Sequence, residues 1–203
     1  MAPAPDRPSP ARIGVFGGTF DPPHLGHVGV ATDVADHLRL DRLLWVPAGI
    51  PPHKAAHRVT DAAIRLEMVR RAAAGDPRFE VSDLELSRPG PSYTVDTLRR
   101  LHAEHPDAEL FLLLGADQVE TFAGTWKDPA DILELARLAV LDRAGERAPA
   151  PAGGERAVHV PVRRVDVSST EVRARASRGE DISDLVPPGV ADVVDREGLY
   201  RDG

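Results

Sequence analysis

An apolar run, IGVF at residues 13–16, stops at Gly17 and Gly18, crosses a proline-rich turn and enters a helical pattern carried by Leu25, Val28, Ala31, Val34, Ala35 and Leu38. A strand that gives way so abruptly to a helix needs a sharp turn, which the two glycines supply. The same order of signals then recurs along the chain. Residues 43–46 suit a second strand. Residues 61–74 suit a helix, with Ile64, Leu66, Met68 and Val69 among its apolar positions. Residues 79–86 have strand character, and residues 94–102 form a helical pattern with Val95, Leu98 and Leu101 on one face. The run LFLLL at 110–114 is apolar without alternation, as expected of a strand buried on both sides. A short helix at 131–135, strands at 138–141 and 158–162, and helical patterns near Ser169 and near Gly189 complete the series. Strands separated by helices pair in parallel, so the chain is predicted to form a single α/β domain: a Rossmann-like parallel sheet with helices on both faces.

Composition sets the limits. Residues 1–10 contain four prolines and little to bury, and are expected to be a disordered lead-in to a domain spanning 11–201. AGERAPAPAGGERA, residues 144–157, has the glycine, proline and charge content of a flexible surface loop. A net charge of −7 argues against a broad basic face for nucleic acid, so any polyanion site must be local. The chain has no cysteine, which rules out disulfides, thiolate metal sites and a cysteine nucleophile. No run approaches the length of a membrane span, and the first residues lack the apolar core of a secretory signal. The expectation is a cytoplasmic protein with neither membrane nor nucleic-acid partner.

GGTFDPPHLGH, residues 17–27, puts two glycines at a strand end and His24 and His27 at a helix start. Glycine lets the backbone approach a bulky ligand, and the free N–H groups of a helix start carry about half a positive charge; together they make a phosphate cradle. An isolated GG or HxxH is more often a tight turn with exposed histidines. A metal site would need a third ligand, for which Asp21 alone is at hand, and would leave the glycines unexplained. The whole segment resembles the first motif of the nucleotidyltransferase superfamily. That resemblance implies that His24 and His27, with Gly17, Gly18, Thr19 and Phe20, contact ATP and its phosphates.

A second helix start follows the last strand. Ser168 and Glu171 have capping-box spacing, and by itself VSSTEVR is no more than a well-capped helix. Beside the first motif, its hydroxyls, N–H groups and fixed cation are what a departing pyrophosphate requires. The segment resembles the superfamily's SSTxxR element, which implies triphosphate contacts from Ser169, Thr170 and Arg173. Arg175 is better explained by a solvated helix face.

Three further segments resemble the nicotinate-nucleotide adenylyltransferases and bear on the acceptor. PPHK, residues 51–54, follows the second strand; the resemblance places it by the acceptor phosphate, with His53 beside it and Lys54 neutralising its charge. SYTVDTL, residues 92–98, opens a helix, and the resemblance implies that Thr94 and nearby N–H groups recognise a pyridine carboxylate. Beyond the buried run at 110–114, Asp117 is positioned to hold a ribose, and Trp126, next to Lys127 in a polar turn, offers a flat face to a pyridinium ring. Arg143 is a looser match to an arginine near the acceptor phosphate.

The resemblance runs in order from Arg12 to about Tyr200 and implies adenylyl transfer from ATP to nicotinate mononucleotide. The same chemistry on nicotinamide mononucleotide and a non-catalytic nucleotide-binding module are the alternatives. His24, His27, Lys54 and Arg173 are the expected catalytic groups. Mg²⁺ is expected to travel with ATP, because the sequence has no dedicated carboxylate cluster to hold it. A homo-oligomer is compatible with the sequence but not readable from it.

Overall fold

The computed structural model describes residues 10–49, 59–143, 147–149 and 153–201. The described elements follow in the order β1 (Arg12–Gly18), α1 (Leu25–His37), β2 (Arg42–Pro47), α2 (Ala62–Ala73), β3 (Phe79–Val81), α3 (Thr94–Glu104), β4 (Glu109–Leu114), α4 (Ala116–Thr125), α5 (Pro129–Leu135), β5 (Arg137–Arg143), β6 (Val158–Val162), α6 (Ser169–Ser177) and α7 (Pro188–Arg196), so that among the described residues a helix separates each pair of successive strands except β5 and β6. Every strand pair is parallel and the order is β3-β2-β1-β4-β5-β6. The Rossmann-like sheet expected from the alternating pattern is therefore present.

Strand alternation sends side chains to two cores. Phe16, Leu43, Trp45, Phe111, Leu113, Ala139 and Leu141 pack on one face against Ala31, Val34 and Ala35 of α1 and Val69 of α2. Ile13, Val15, Leu44, Val46, Leu110, Leu112, Leu114, Leu138 and Val140 pack on the other against α3, α4 and α5. LFLLL shows no alternation because both of its faces are covered. A third cluster joins Met68 and Ala72 of α2 to Val172 of α6 and Val190, Val193 and Val194 of α7, which ties the C-terminal helices to α2.

Two elements depart from the sequence expectation. The strand character read at 79–86 ends in hydrogen-bonded strand at Val81. Ser82 N–H still reaches the Trp45 carbonyl, but Leu86 and Ser87 turn back onto Asp83 O. β3 is an edge strand with β2 as its sheet neighbour, so few ladder bonds oppose that turn. Helix α4 was not anticipated between Leu114 and Trp126. It buries Val119 and Phe122 and exposes most of its other residues, so its apolar stripe is too narrow to stand out as a period. Its start is fixed by Gln118, whose Oε1 accepts the Gly115 N–H at 3.0 Å.

Of the two segments expected to lack fixed structure, residues 1–9 lie outside the described residues, as do 144–146 and 150–152 in the loop after β5. Within that loop Ala148 is buried, and its N–H donates to Asp142 at 2.9 Å.

Candidate active site

In a parallel sheet the C-terminal strand ends and the starts of the following helices share one edge, and a crevice opens where the strand order reverses direction. Here that point lies between β1 and β4. His24 is the residue preceding α1, in extended geometry, and His27 is the third residue of its first turn. The His24 N–H donates to Nδ1 of His27 at 3.1 Å, and the two rings lie 3.7 Å apart between centroids. Because Nδ1 of His27 accepts a hydrogen bond, its proton resides on Nε2, so that edge of the ring is a donor. Phe20 stands edge-on to His27 at 5.1 Å and itself contacts Phe16 and Trp45. It is buried at a positive φ of 50°, a backbone conformation that needs surrounding packing to hold it. Gly26 has a packing reason to be glycine: a Cβ there would lie 3.0 Å from Nδ1 of His24 and 3.2 Å from Val167.

Helix α6 meets this loop directly. Ser168 Oγ accepts the Glu171 N–H at 3.2 Å, so Ser168 caps the helix as its spacing predicts. Glu171 does not complete the box; its carboxylate pairs with Arg175, which also bonds Asp184. Arg175 is thus an ion-paired surface residue. Ser169 Oγ donates to the Pro22 carbonyl at 2.9 Å, and Arg173 donates from Nη1 to the Asp21 carbonyl at 2.8 Å and from Nη2 to Thr170 Oγ1 at 3.2 Å. Ser169, Thr170 and Arg173 are thereby brought against the loop that leads into His24 and His27.

Asp21 is the junction. One carboxylate oxygen accepts the Tyr200 hydroxyl at 2.7 Å and the other accepts the Thr60 N–H at 3.1 Å. Its side chain is buried and committed to protein partners, which speaks against the metal role considered from sequence. Burial and the neighbouring Asp21 charge push the Tyr200 hydroxyl well above its ordinary pKa, so it stays a donor. Sequence inspection singled out neither the Tyr200 contact nor its purpose, because the partners are 179 positions apart and no local pattern joins them.

On the opposite side, Thr94 is the first residue of α3 and half-buried. Two residues earlier, Ser92 Oγ accepts the Gly49 N–H at 3.0 Å. Gly49 sits so close to the Glu85 backbone that a Cβ would fall 2.4 Å from its carbonyl oxygen. Glu85 is buried and takes a hydrogen bond from Thr97 Oγ1 at 2.7 Å; burial raises its pKa against the opposing effect of the Thr97 and Ser92 hydroxyls. Trp126 closes α4, half-buried with its ring 5.5 Å from Phe122. Lys127 pairs with Asp96 at 3.2 Å and stands 4.7 Å over the Tyr93 ring, so the end of α4 adjoins the start of α3 that carries Thr94. Its charge already has a carboxylate partner. Asp117 is exposed in the first turn of α4, about 13 Å along the helix axis from Trp126, so the two do not form one cluster. His53 and Lys54 lie outside the described residues. Arg143 ends β5, and its side chain is likewise outside the described part of the structure.

Among the described residues, no group of three or more His, Asp or Glu could hold a metal ion, and no helix is long and apolar enough to cross a membrane.

Comparison with known proteins points the same way. The chain matches the family described as cytidylyltransferase-like over residues 15–175. It is 46% identical over 193 residues to a probable nicotinate-nucleotide adenylyltransferase of Thermus thermophilus, an alignment covering 94% of this chain and 100% of that one. A probable nicotinate-nucleotide adenylyltransferase of Clavibacter michiganensis subsp. michiganensis is 43% identical over 193 residues, with 94% of each chain covered. Among solved structures, the Plasmodium falciparum nicotinic acid mononucleotide adenylyltransferase complexed with NaAD is similar with a TM-score of 0.76 over 94% of this chain and 97% of that one; at 18% identity this likeness concerns the fold.

Proposed function

This chain belongs to the cytidylyltransferase-like family and, within it, to the nicotinate-nucleotide adenylyltransferases; from that premise we propose that it transfers AMP from ATP to nicotinate mononucleotide, giving nicotinate adenine dinucleotide and pyrophosphate. The observation that carries the site assignment is the junction of the two helix starts, where Ser169 and Arg173 bond to Pro22 and Asp21 immediately before His24.

The acceptor phosphate is already ionised at neutral pH, so no protein base is needed. One of its oxygens forms a bond to the α-phosphorus of ATP in line with the bond that breaks, and pyrophosphate leaves with that electron pair. Catalysis is then positioning plus electrostatic stabilisation. In this reading Nε2 of His27, the ring of His24 and the N–H groups at the start of α1 face the triphosphate. Arg173 and Thr170 face the departing pyrophosphate, while Gly17, Gly18, Thr19 and Phe20 shape the loop that receives ATP. Lys54, with His53, meets the acceptor phosphate, and Arg143 adds a second cation there. Thr94 and the α3 start read the pyridine carboxylate, Trp126 lies against its ring with Lys127 alongside, and Asp117 takes a ribose hydroxyl.

Mg²⁺ enters with ATP. Asp21, the buried carboxylate nearest the histidines in sequence, has both oxygens engaged, and the described residues offer no cage for a dedicated ion. When bound, the ion offsets phosphate charge. A cytoplasmic setting belongs to the same reading.

The test is pyrophosphate release with ATP and Mg²⁺, comparing nicotinate mononucleotide, nicotinamide mononucleotide and phosphopantetheine, with His27→Ala as control. Release that favours the nicotinate acceptor and is lost in the variant supports the function and the site. Preference for another acceptor would overturn the roles given to Thr94 and Trp126, and no release with any acceptor would favour a binding module.

A further inference from the structure

Arg65 lies in α2, outside every sequence motif that the function draws on, yet it is among the most completely buried polar residues described, at 2% exposure. A buried cation is costly unless its donors are satisfied. Among the described residues no carboxylate is hydrogen-bonded to it. Instead, Nη1 donates to the Thr19 carbonyl at 2.9 Å, Nε to the Thr60 carbonyl at 3.0 Å, and Nη2 to the Gly49 carbonyl at a longer 3.4 Å.

These three carbonyls belong to three different segments at the strand-end edge, and each is one step from a candidate substrate contact. Thr19 is itself in the ATP loop. Gly49 gives its N–H to Ser92, two residues before Thr94. Thr60 gives its N–H to Asp21, whose carbonyl holds Arg173. Gly49 and Thr60 also flank, in sequence, the stretch that contains His53 and Lys54. A planar fork with five fixed donors can hold three segments in one geometry, which the point charge of a lysine cannot reproduce.

We infer that Arg65 is a positioning residue for adenylyl transfer: it fixes the ATP-side segments at Thr19 and Thr60 relative to the acceptor-side segment at Gly49, and so sets the approach of one phosphate to the other. The inference rests on the transferase reading above. It distinguishes positioning from simple fold support, because the three anchors are divided between the two substrate sides. Removing the fork lets each side keep its own ligand contacts while their mutual placement relaxes, and misplacement by about 1 Å costs on the order of 10²-fold in rate.

The experiment uses the full chain and its Arg65→Lys and Arg65→Met variants. Folded fraction is taken from circular dichroism, affinities for a non-hydrolysable ATP analogue and for nicotinate mononucleotide from calorimetry, and kcat per folded molecule from pyrophosphate release. Positioning predicts that in Arg65→Lys each binary affinity stays within about threefold of wild type while kcat per folded molecule falls roughly 10- to 100-fold. Arg65→Met should show the same split or a larger one, and Arg65→Lys decides alone if Arg65→Met does not fold. Either a kcat per folded molecule within about threefold of wild type, or a binary affinity that falls in step with kcat, overturns the inference. An inactive wild-type protein would instead refute the transferase reading.

Discussion

Replacing His27 by alanine removes two interactions at once, and the structure allows their sizes to be separated. The ring's Nε2 edge is the proposed donor to charge that gathers on the transferring phosphates. Loss of one such donor costs on the order of 10²–10³ in turnover, or about 2.7–4 kcal/mol in the barrier. The Nδ1 edge accepts the His24 N–H at 3.1 Å and so works as a helix cap. Losing a cap costs about 0.5–2 kcal/mol of stability. For a domain of this length, 1 kcal/mol moves Tm by about 2–4 °C, so His27→Ala should melt roughly 1–8 °C lower and remain folded at assay temperature. Turnover, measured by pyrophosphate release with saturating ATP and nicotinate mononucleotide, should nevertheless fall by two to three orders of magnitude. His27→Asn keeps a carbonyl oxygen near the His24 N–H without an equivalent donor at Nε2, and should recover part of the Tm but little of the kcat. A kcat for His27→Ala within about threefold of wild type, alongside the lowered Tm, would reduce His27 to a cap and refute the reasoning.

Tyr200→Phe deletes the hydroxyl bonded to Asp21 at 2.7 Å and leaves a buried carboxylate oxygen without that donor. Urea unfolding should show a loss of about 1.5–3 kcal/mol, and a loss below about 0.5 kcal/mol would contradict the role of this contact. Gly49→Ala forces a Cβ to within 2.4 Å of the Glu85 carbonyl oxygen, which only a backbone shift can relieve. Thermal unfolding should show destabilisation of about 1–3 kcal/mol, and an unchanged Tm would mean that this crossing is loose. Glu85 has its pKa raised by burial, so the native state holds this proton more tightly than the unfolded chain. Its contribution favours folding at and below the ordinary glutamate range and is lost as pH rises through the raised value. Stability of Glu85→Gln relative to wild type should therefore increase from about pH 4 to about pH 8, and a flat difference would contradict this.

The sheet was legible in the sequence because its strands are short apolar runs punctuated by turns. Residues 13–16 fall within Arg12–Gly18, and residues 110–114 within Glu109–Leu114. Helix α4 was illegible because its contact with the core is narrow, and the end of β3 because an edge strand stops for lack of ladder bonds rather than at a breaker residue. In the site, contiguous motifs gave the residue types: His24 and His27 stand at a helix start, and Ser168 caps the next one. Sequence could not show that the Ser169 hydroxyl and one N–H of the Arg173 guanidinium bond the Pro22 and Asp21 carbonyls, or that Lys127 is paired with Asp96. The least legible were Arg65, Asp21 and Tyr200, whose partners are backbone carbonyls or residues distant in the chain. A buried arginine binding carbonyls leaves no charge-pair pattern to find.

The central claim is direct attack of the acceptor phosphate on the α-phosphorus, with the protein supplying position and charge but no nucleophile. Its most direct test is the stereochemical course of transfer from ATP made chiral at the α-phosphorus by sulfur substitution, with nicotinate mononucleotide as acceptor. A single in-line displacement predicts inversion at that phosphorus in the dinucleotide product. Retention would require two displacements through an adenylylated protein side chain, and would contradict the account.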